Sequence, residues 1–136
     1  MVDRGPVSIL GIDHVQVAAP AGCEAEARAF YAGLLGLEEV PKPAALRARG
    51  GCWFRAGTHE LHVGVEEPFA PARKAHPGFV VADLDALAER LRAEGIAVEP
   101  AEAIPGTKRF HAADPFGNRL EFRNLVAGEA GTRFAS

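Results

Sequence analysis

Asp114-Pro115-Phe116-Gly117-Asn118-Arg119-Leu120-Glu121-Phe122 reads as a tight turn that feeds a strand. Pro115 presets a turn backbone, and Gly117 and Asn118 tolerate positive φ. Beyond the turn, Leu120 and Phe122 point to one face of the strand and Glu121 to the other. A carboxylate is therefore held opposite two large apolar residues, and function turns on what Glu121 faces.

The chain around this stretch has 136 residues, 48% of them hydrophobic, enough for one compact domain with a sizeable core. A net charge of -3, mixed in sign along the chain, gives no case for nucleic acid, a polyanion or a membrane surface. The basic residues Arg47, Arg49, Arg55, Arg73 and Lys74 cluster only loosely and read as solvated edges. The first residues lack a charged-then-apolar leader pattern, and no apolar run approaches a membrane span. The expectation is a cytoplasmic protein acting on a small molecule. Cys23 and Cys52 make neither a disulfide framework nor a zinc pattern. Cys23 precedes a helix, where a thiol pKa can fall, but ordinary reduced thiols are the reading for both.

Taken in order, residues 1–8 read as a tail. Leu10 to Val17 reads as a strand with Val15 and Val17 on one face and His14 and Gln16 on the other. Ala27, Phe30, Tyr31, Leu34 and Leu35 follow helical spacing, and Gly36 is a good cap. Leu37 to Val40, Gly51 to Arg55 and Glu60 to Glu66 are strand candidates, the last alternating Leu61, Val63 and Val65 against Glu60 and His62. Residues 68–75, with Pro68 and Pro71, form a linker. The order then repeats. His76 to Val81 is a strand, Asp83 caps a helix bearing Leu84, Leu87, Ala88 and Leu91, and Gly95 closes it. Ile96 to Val98, Lys108 to Ala112 and the Glu121 strand follow, and residues 127–136 read as a second tail. The expected units are 9–67 and 76–126, each strand, helix, then three strands.

Spacing supports an internal repeat. Gly36 to His62 and Gly95 to Glu121 are both 26 positions. His14 lies 22 positions before Gly36 and His76 lies 19 before Gly95, the difference falling in the Pro20-Ala21-Gly22 connection. His14 thus matches His76, and His62 matches Glu121. Only five histidines are present, and three fill equivalent slots facing away from the apolar sides of their strands. Each alone has a plain structural explanation, such as an interior histidine or a surface carboxylate paired with Arg119 or Arg123. Together, converging in one hollow, imidazole and carboxylate suit a divalent metal: zinc, nickel, iron or manganese.

These residues resemble the vicinal oxygen chelate superfamily, which includes glyoxalases, bleomycin-resistance proteins and extradiol dioxygenases. The likeness rests on Asp13-His14-Val15, on Ala29-Phe30-Tyr31 with Leu34-Leu35-Gly36-Leu37, on His76 to Val81 leading to Asp83-Leu84-Asp85, and on Asp114 to Glu121. It spans residues 10–125 or so. The resemblance implies an α+β fold of two βαβββ modules whose eight strands form a cupped mixed sheet with helices outside. It implies a divalent metal held at His14, His62, His76 and Glu121, and a homodimer that in some relatives shares the cup between subunits.

Such a metal acts as a Lewis acid on two neighbouring oxygens of a small oxygen-rich substrate, giving isomerase or lyase chemistry. Glu121 is the candidate base, as a ligand that loosens and accepts a proton. The chain departs from the glyoxalase I pattern, which has glutamate where His62 stands, and this weighs against methylglyoxal-glutathione isomerisation. Glu60, on the same face, is an alternative ligand or base. Gln16, Trp53 and His111 are weaker candidates for the substrate wall, and Arg55 and Arg109 for binding an anion. Three other readings compete. They are a metal-free antibiotic-binding protein of the bleomycin-resistance type, an Fe(II) dioxygenase using two histidines and a carboxylate, and a thiol transferase acting on an epoxide antibiotic.

Overall fold

A computed structural model describes residues 4–102 and 104–129. The expected tails fall partly outside these, at 1–3 and 130–136. The order strand, helix, three strands occurs twice, and the helical and strand content makes the chain α+β. Strands β1 (His14–Ala19), β2 (Glu38–Val40), β3 (Cys52–Ala56) and β4 (His59–Val65) form one sheet in the order β1-β4-β3-β2. Strands β5 (Gly78–Val81), β6 (Glu99–Pro100), β7 (Arg109–Ala113) and β8 (Arg119–Asn124) form the other in the order β5-β8-β7-β6. The eight expected strands are therefore hydrogen-bonded as two four-stranded sheets. In each, the first strand runs parallel to the last and the hairpin is antiparallel.

Helix α1 (Glu24–Ala27) continues through Arg28–Leu34 in a wider π-helical winding, marked by the Leu35 N–H donating to Phe30 O at 3.0 Å. A short α2 (Ala44–Arg47) precedes β3, and α3 (Leu84–Ala93) crosses the second sheet. Asp83 caps α3 as expected, its Oδ1 accepting from Ala86 N at 3.0 Å. Phe30, Tyr31, Phe54 and Leu61 from the first half join Leu87, Leu91, Leu120 and Phe122 from the second in one continuous buried cluster.

Several expected details differ. Ile96 to Val98, expected as a strand, precede β6, which is Glu99–Pro100, and β5 begins at Gly78, not His76. The first strand begins at His14, not Leu10. Its parallel partner β4 starts at His59, so beyond Asp13 O, which accepts from Glu60 N, no neighbour strand remains to pair with. Val7, Ile9 and Leu10 lie 91%, 92% and 97% exposed. In the last hairpin Gly117 takes φ +91, whereas Asn118 has negative φ. Asn118 instead serves as a buried connector: its Nδ2 donates to Ala18 O at 2.7 Å and to Asp114 Oδ2 at 2.9 Å, and its Oδ1 accepts from Ala72 N at 3.1 Å. An amide oriented for three such bonds fixes the backbone more tightly than a left-handed turn residue would.

Candidate metal centre

Register aligns the two halves. His62 lies opposite Gln16, two residues after His14, and Glu121 lies opposite Gly78, two residues after His76. Both parallel pairs thus present a histidine and a second ligand-type residue in the same diagonal relation. The alternation that turns these four outward turns Leu61, Val63, Leu120 and Phe122 into the core.

In the first sheet, His62 is sandwiched. His14 stacks on one face with centroids 4.2 Å apart, and Trp53, its partner across the β3–β4 hairpin, stacks on the other at 4.0 Å and 3°. His62 is only 4% exposed, and its Nε2 lies 2.9 Å from Glu60 Oε1. Trp53 therefore forms the wall beside the histidines, while Phe54 points into the core. Gln16 is exposed on the same face, close against Gly64, where an added Cβ would meet its amide. Arg55 pairs loosely with Glu38 at 3.8 Å.

In the second sheet, Glu121 Oε1 collects three nitrogens: Arg109 Nη1 at 3.0 Å, His111 Nε2 at 3.1 Å and His76 Nε2 at 3.3 Å. Burial works against the charged carboxylate. The bonds from His111 and His76 and the Arg109 charge nevertheless hold Glu121 below the ordinary carboxylate value. Arg119 reaches His111 Nδ1 at 3.1 Å, and Arg123 pairs with Glu129 at 2.8 Å.

Among the described residues, one group of three or more His, Cys, Asp or Glu side chains brings its ligand atoms within 4.8 Å of one another: His76, His111 and Glu121. His14 and His62 are not in it. Within one chain the four slots thus stand as two pairs, His14 with His62 and His76 with Glu121. A groove of 510 Å³ between α3 and β7 lies elsewhere, lined by Leu84, Ala88, Val98 and Phe110.

The donor chemistry of the two lead histidines fits a metal. His14 Nδ1 lies 2.9 Å from Asp13 Oδ2, and His76 Nδ1 lies 2.8 Å from Lys74 O. A carboxylate and a carbonyl can only accept, so each Nδ1 carries a proton; Nε2 is the nitrogen for a cation, which at His76 would replace the proton shared with Glu121 Oε1 at 3.3 Å. This second-neighbour arrangement orients metal-ligating imidazoles generally. Sequence reasoning passed over Asp13 and Lys74 in this role and ranked His111 low. The signal for His111 was its hairpin position: it faces Glu121 as Trp53 faces His62.

Cys23 and Cys52 are free and buried. Burial, then the Glu24 carboxylate, pushes the Cys23 thiol up to about 12, the reverse of activation by a helix start.

Residues 11–122 match the family model described as Glyoxalase/Bleomycin resistance protein/Dioxygenase superfamily. A solved glyoxalase family protein from Bacillus anthracis is 54% identical, with a TM-score of 0.83 over 88% of this chain and 98% of its own. The fosfomycin resistance protein FosX from Listeria monocytogenes shares the fold at 15% identity and a TM-score of 0.71, covering 90% of this chain and 98% of its own. Lactoylglutathione lyase from Agrobacterium tumefaciens does so at 22% and 0.67, covering 86% and 95%. The curated protein sequences contain no match. No helix of the described residues is long and apolar enough to cross a membrane. With the family model covering most of its length, the chain belongs to the glyoxalase/bleomycin resistance protein/dioxygenase superfamily.

Proposed function

We propose that this protein is a metal-dependent enzyme of glyoxalase type, chelating a small oxygen-rich substrate for isomerase or lyase chemistry. The observation that carries the reading is the repeated diagonal: His14 with His62, and His76 with Glu121, in matching register on parallel strand pairs. His14, His62, His76 and Glu121 would hold the divalent cation, which would supply Lewis-acid polarisation of two neighbouring substrate oxygens.

The two pairs are separate within one chain, so the reading includes a homodimer in which one chain's first sheet faces its partner's second. The apolar stretch at Val7, Ile9 and Leu10, which leads into His14, supports this, since exposed aliphatic surface of that kind marks an interface. Trp53 would form an apolar wall beside the substrate, with Gln16 at its rim. Glu121 is the group to accept a proton beside a carbonyl. Held below the ordinary carboxylate value by the His111 bond, the Arg109 charge and the His76 bond, it gains basicity as those partners let go.

A second ligand set has a specific observation behind it. Glu60 receives His62 Nε2 at 2.9 Å, so Glu60 could take the fourth position with His62 orienting it. Metal analysis of protein purified without added metal, beside a His14→Ala/Glu121→Ala double variant, tests the reading. Near-stoichiometric metal in the first and none in the second supports it, and no metal in either overturns it.

A further inference from the structure

We propose that His111 is a fixed hydrogen-bond donor that positions Glu121, its ring tautomer set by Arg119, and is not a metal ligand. Arg119 Nη2 lies 3.1 Å from His111 Nδ1. A guanidinium carries only N–H donors and does not give up its proton in proteins. His111 Nδ1 must therefore accept. A doubly protonated ring would set N–H against N–H, so the ring is neutral with its one proton on Nε2. That nitrogen lies 3.1 Å from Glu121 Oε1, an acceptor, so both contacts demand the same tautomer.

His76 differs. Its Nδ1 proton is taken by Lys74 O at 2.8 Å, and its Nε2 faces Glu121 Oε1 at 3.3 Å, so a cation at that nitrogen would take the place of an Nε2 proton while Nδ1 keeps its own. Three ligand-type atoms meet within 4.8 Å, but their hydrogen-bond partners sort them into two that can bind a cation and one N–H that cannot. For His111 to ligate through Nε2, the ring would have to move its proton to Nδ1, against the guanidinium. The side chains of His111 and Glu121 are 15% and 18% exposed, so water competes weakly for these bonds.

Across the other hairpin, the same register places Trp53 on His62. The two sheets thus brace their ligand slots differently, one with an apolar face and one with a directed N–H. His111 acts through Glu121: it fixes where Oε1 points and offers a donor to any oxygen that enters beside it. The tautomer rests on this geometry alone. Only the statement that a metal binds next to it rests on the function proposed above.

The test is a long-range 15N–1H correlation spectrum of the histidine rings at mildly alkaline pH, on the full chain, metal-free and with one equivalent of zinc per chain. His111 is assigned by its absence in His111→Gln. The expected result is unprotonated Nδ1 and protonated Nε2 in both samples, with the His76 ring changing on zinc addition. Protonated Nδ1, averaged tautomers in the metal-free protein, or loss of the Nε2 proton with zinc overturns the proposal. Arg119→Leu should move His111 toward a tautomer mixture, and an unchanged ring would remove Arg119 from the account. His111→Gln keeps an N–H donor and should still take up one zinc, with affinity reduced by no more than about 100-fold, the range for an outer partner. Loss of stoichiometric zinc in that variant would make His111 a ligand after all. If wild-type protein binds no zinc, the metal-enzyme reading fails, while the metal-free spectrum still decides the tautomer.

Discussion

The Tyr31 hydroxyl donates a 2.7 Å hydrogen bond to Asp114 Oδ2, tying the helix after β1 to the turn before β8, 83 residues away. The same carboxylate accepts from Phe116 N, Asn118 N and Asn118 Nδ2, all at 2.9 Å. Both residues are buried, and burial followed by the Asp114 charge pushes the Tyr31 hydroxyl far above its ordinary pKa. Tyr31→Phe removes one donor to a buried charge, so it should lower stability by about 1–3 kcal/mol in urea unfolding. Asn118→Ala, which loses the bonds to Ala18, Ala72 and Asp114 together, should cost more. An unchanged midpoint for Tyr31→Phe would mean the carboxylate is satisfied without it.

The thiols should be inert until the fold opens. With Cys23 raised from 9.0 to about 12 by burial and the neighbouring Glu24, its thiolate population at a given mildly alkaline pH falls on the order of 1,000-fold relative to an ordinary cysteine. Cys52 is raised too, chiefly by burial. Iodoacetamide labelling should be negligible in native protein and rapid for both thiols in denaturant. Fast native labelling of either would contradict the buried arrangement.

Glu24 supplies a pH-dependent contribution. Gly51 N donates to its Oε2 at 3.0 Å and Cys23 Sγ lies 3.2 Å away, holding its pKa below the ordinary 4.5. Because the folded pKa is the lower one, the stabilisation is complete above 4.5 and is lost as pH falls through the folded value. Glu24 is partly exposed, so the effect is screened, on the order of 0.5–1 kcal/mol. Glu24→Gln should be less stable than wild type at neutral pH, with the gap closing in acid. A gap that persists or widens in acid would assign the loss to shape rather than charge.

Much of the fold was legible because two periodicities are strong in this chain. Alternation at Leu61-His62-Val63 and Leu120-Glu121-Phe122 fixes which side of each strand is core, and the matched 26-residue spacings reveal the repeat. The parallel pairing of His14's strand with His62's then follows the repeat. Harder to read was anything that depends on hydrogen-bond direction. Asn118 looked like a turn residue, yet its amide geometry makes it the link between Ala18, Ala72 and Asp114. Cys23 read as an ordinary reduced thiol, and it is free and buried, but how far burial and the neighbouring carboxylate raise its pKa was not legible. His111 and Arg109 gain meaning only once the β7–β8 hairpin sets them around Glu121. The start of β1 was misplaced because strand propensity at Leu10 and Ile12 says nothing about whether a neighbouring strand extends that far.

Mixing two variants that each lack one half of the ligand set tests most directly whether the metal site is assembled from the first sheet of one chain and the second sheet of its partner. His14→Ala/His62→Ala and His76→Ala/Glu121→Ala should each bind no metal alone. Unfolded together and refolded as a mixture, they should regain about a quarter of the wild-type metal content, because half the dimers are mixed and each mixed dimer rebuilds one site of two. Recovery near that level, in the dimer fraction of a size-exclusion run, is the predicted result. A mixture that stays metal-free while wild-type protein refolded in parallel binds metal stoichiometrically would contradict the shared site.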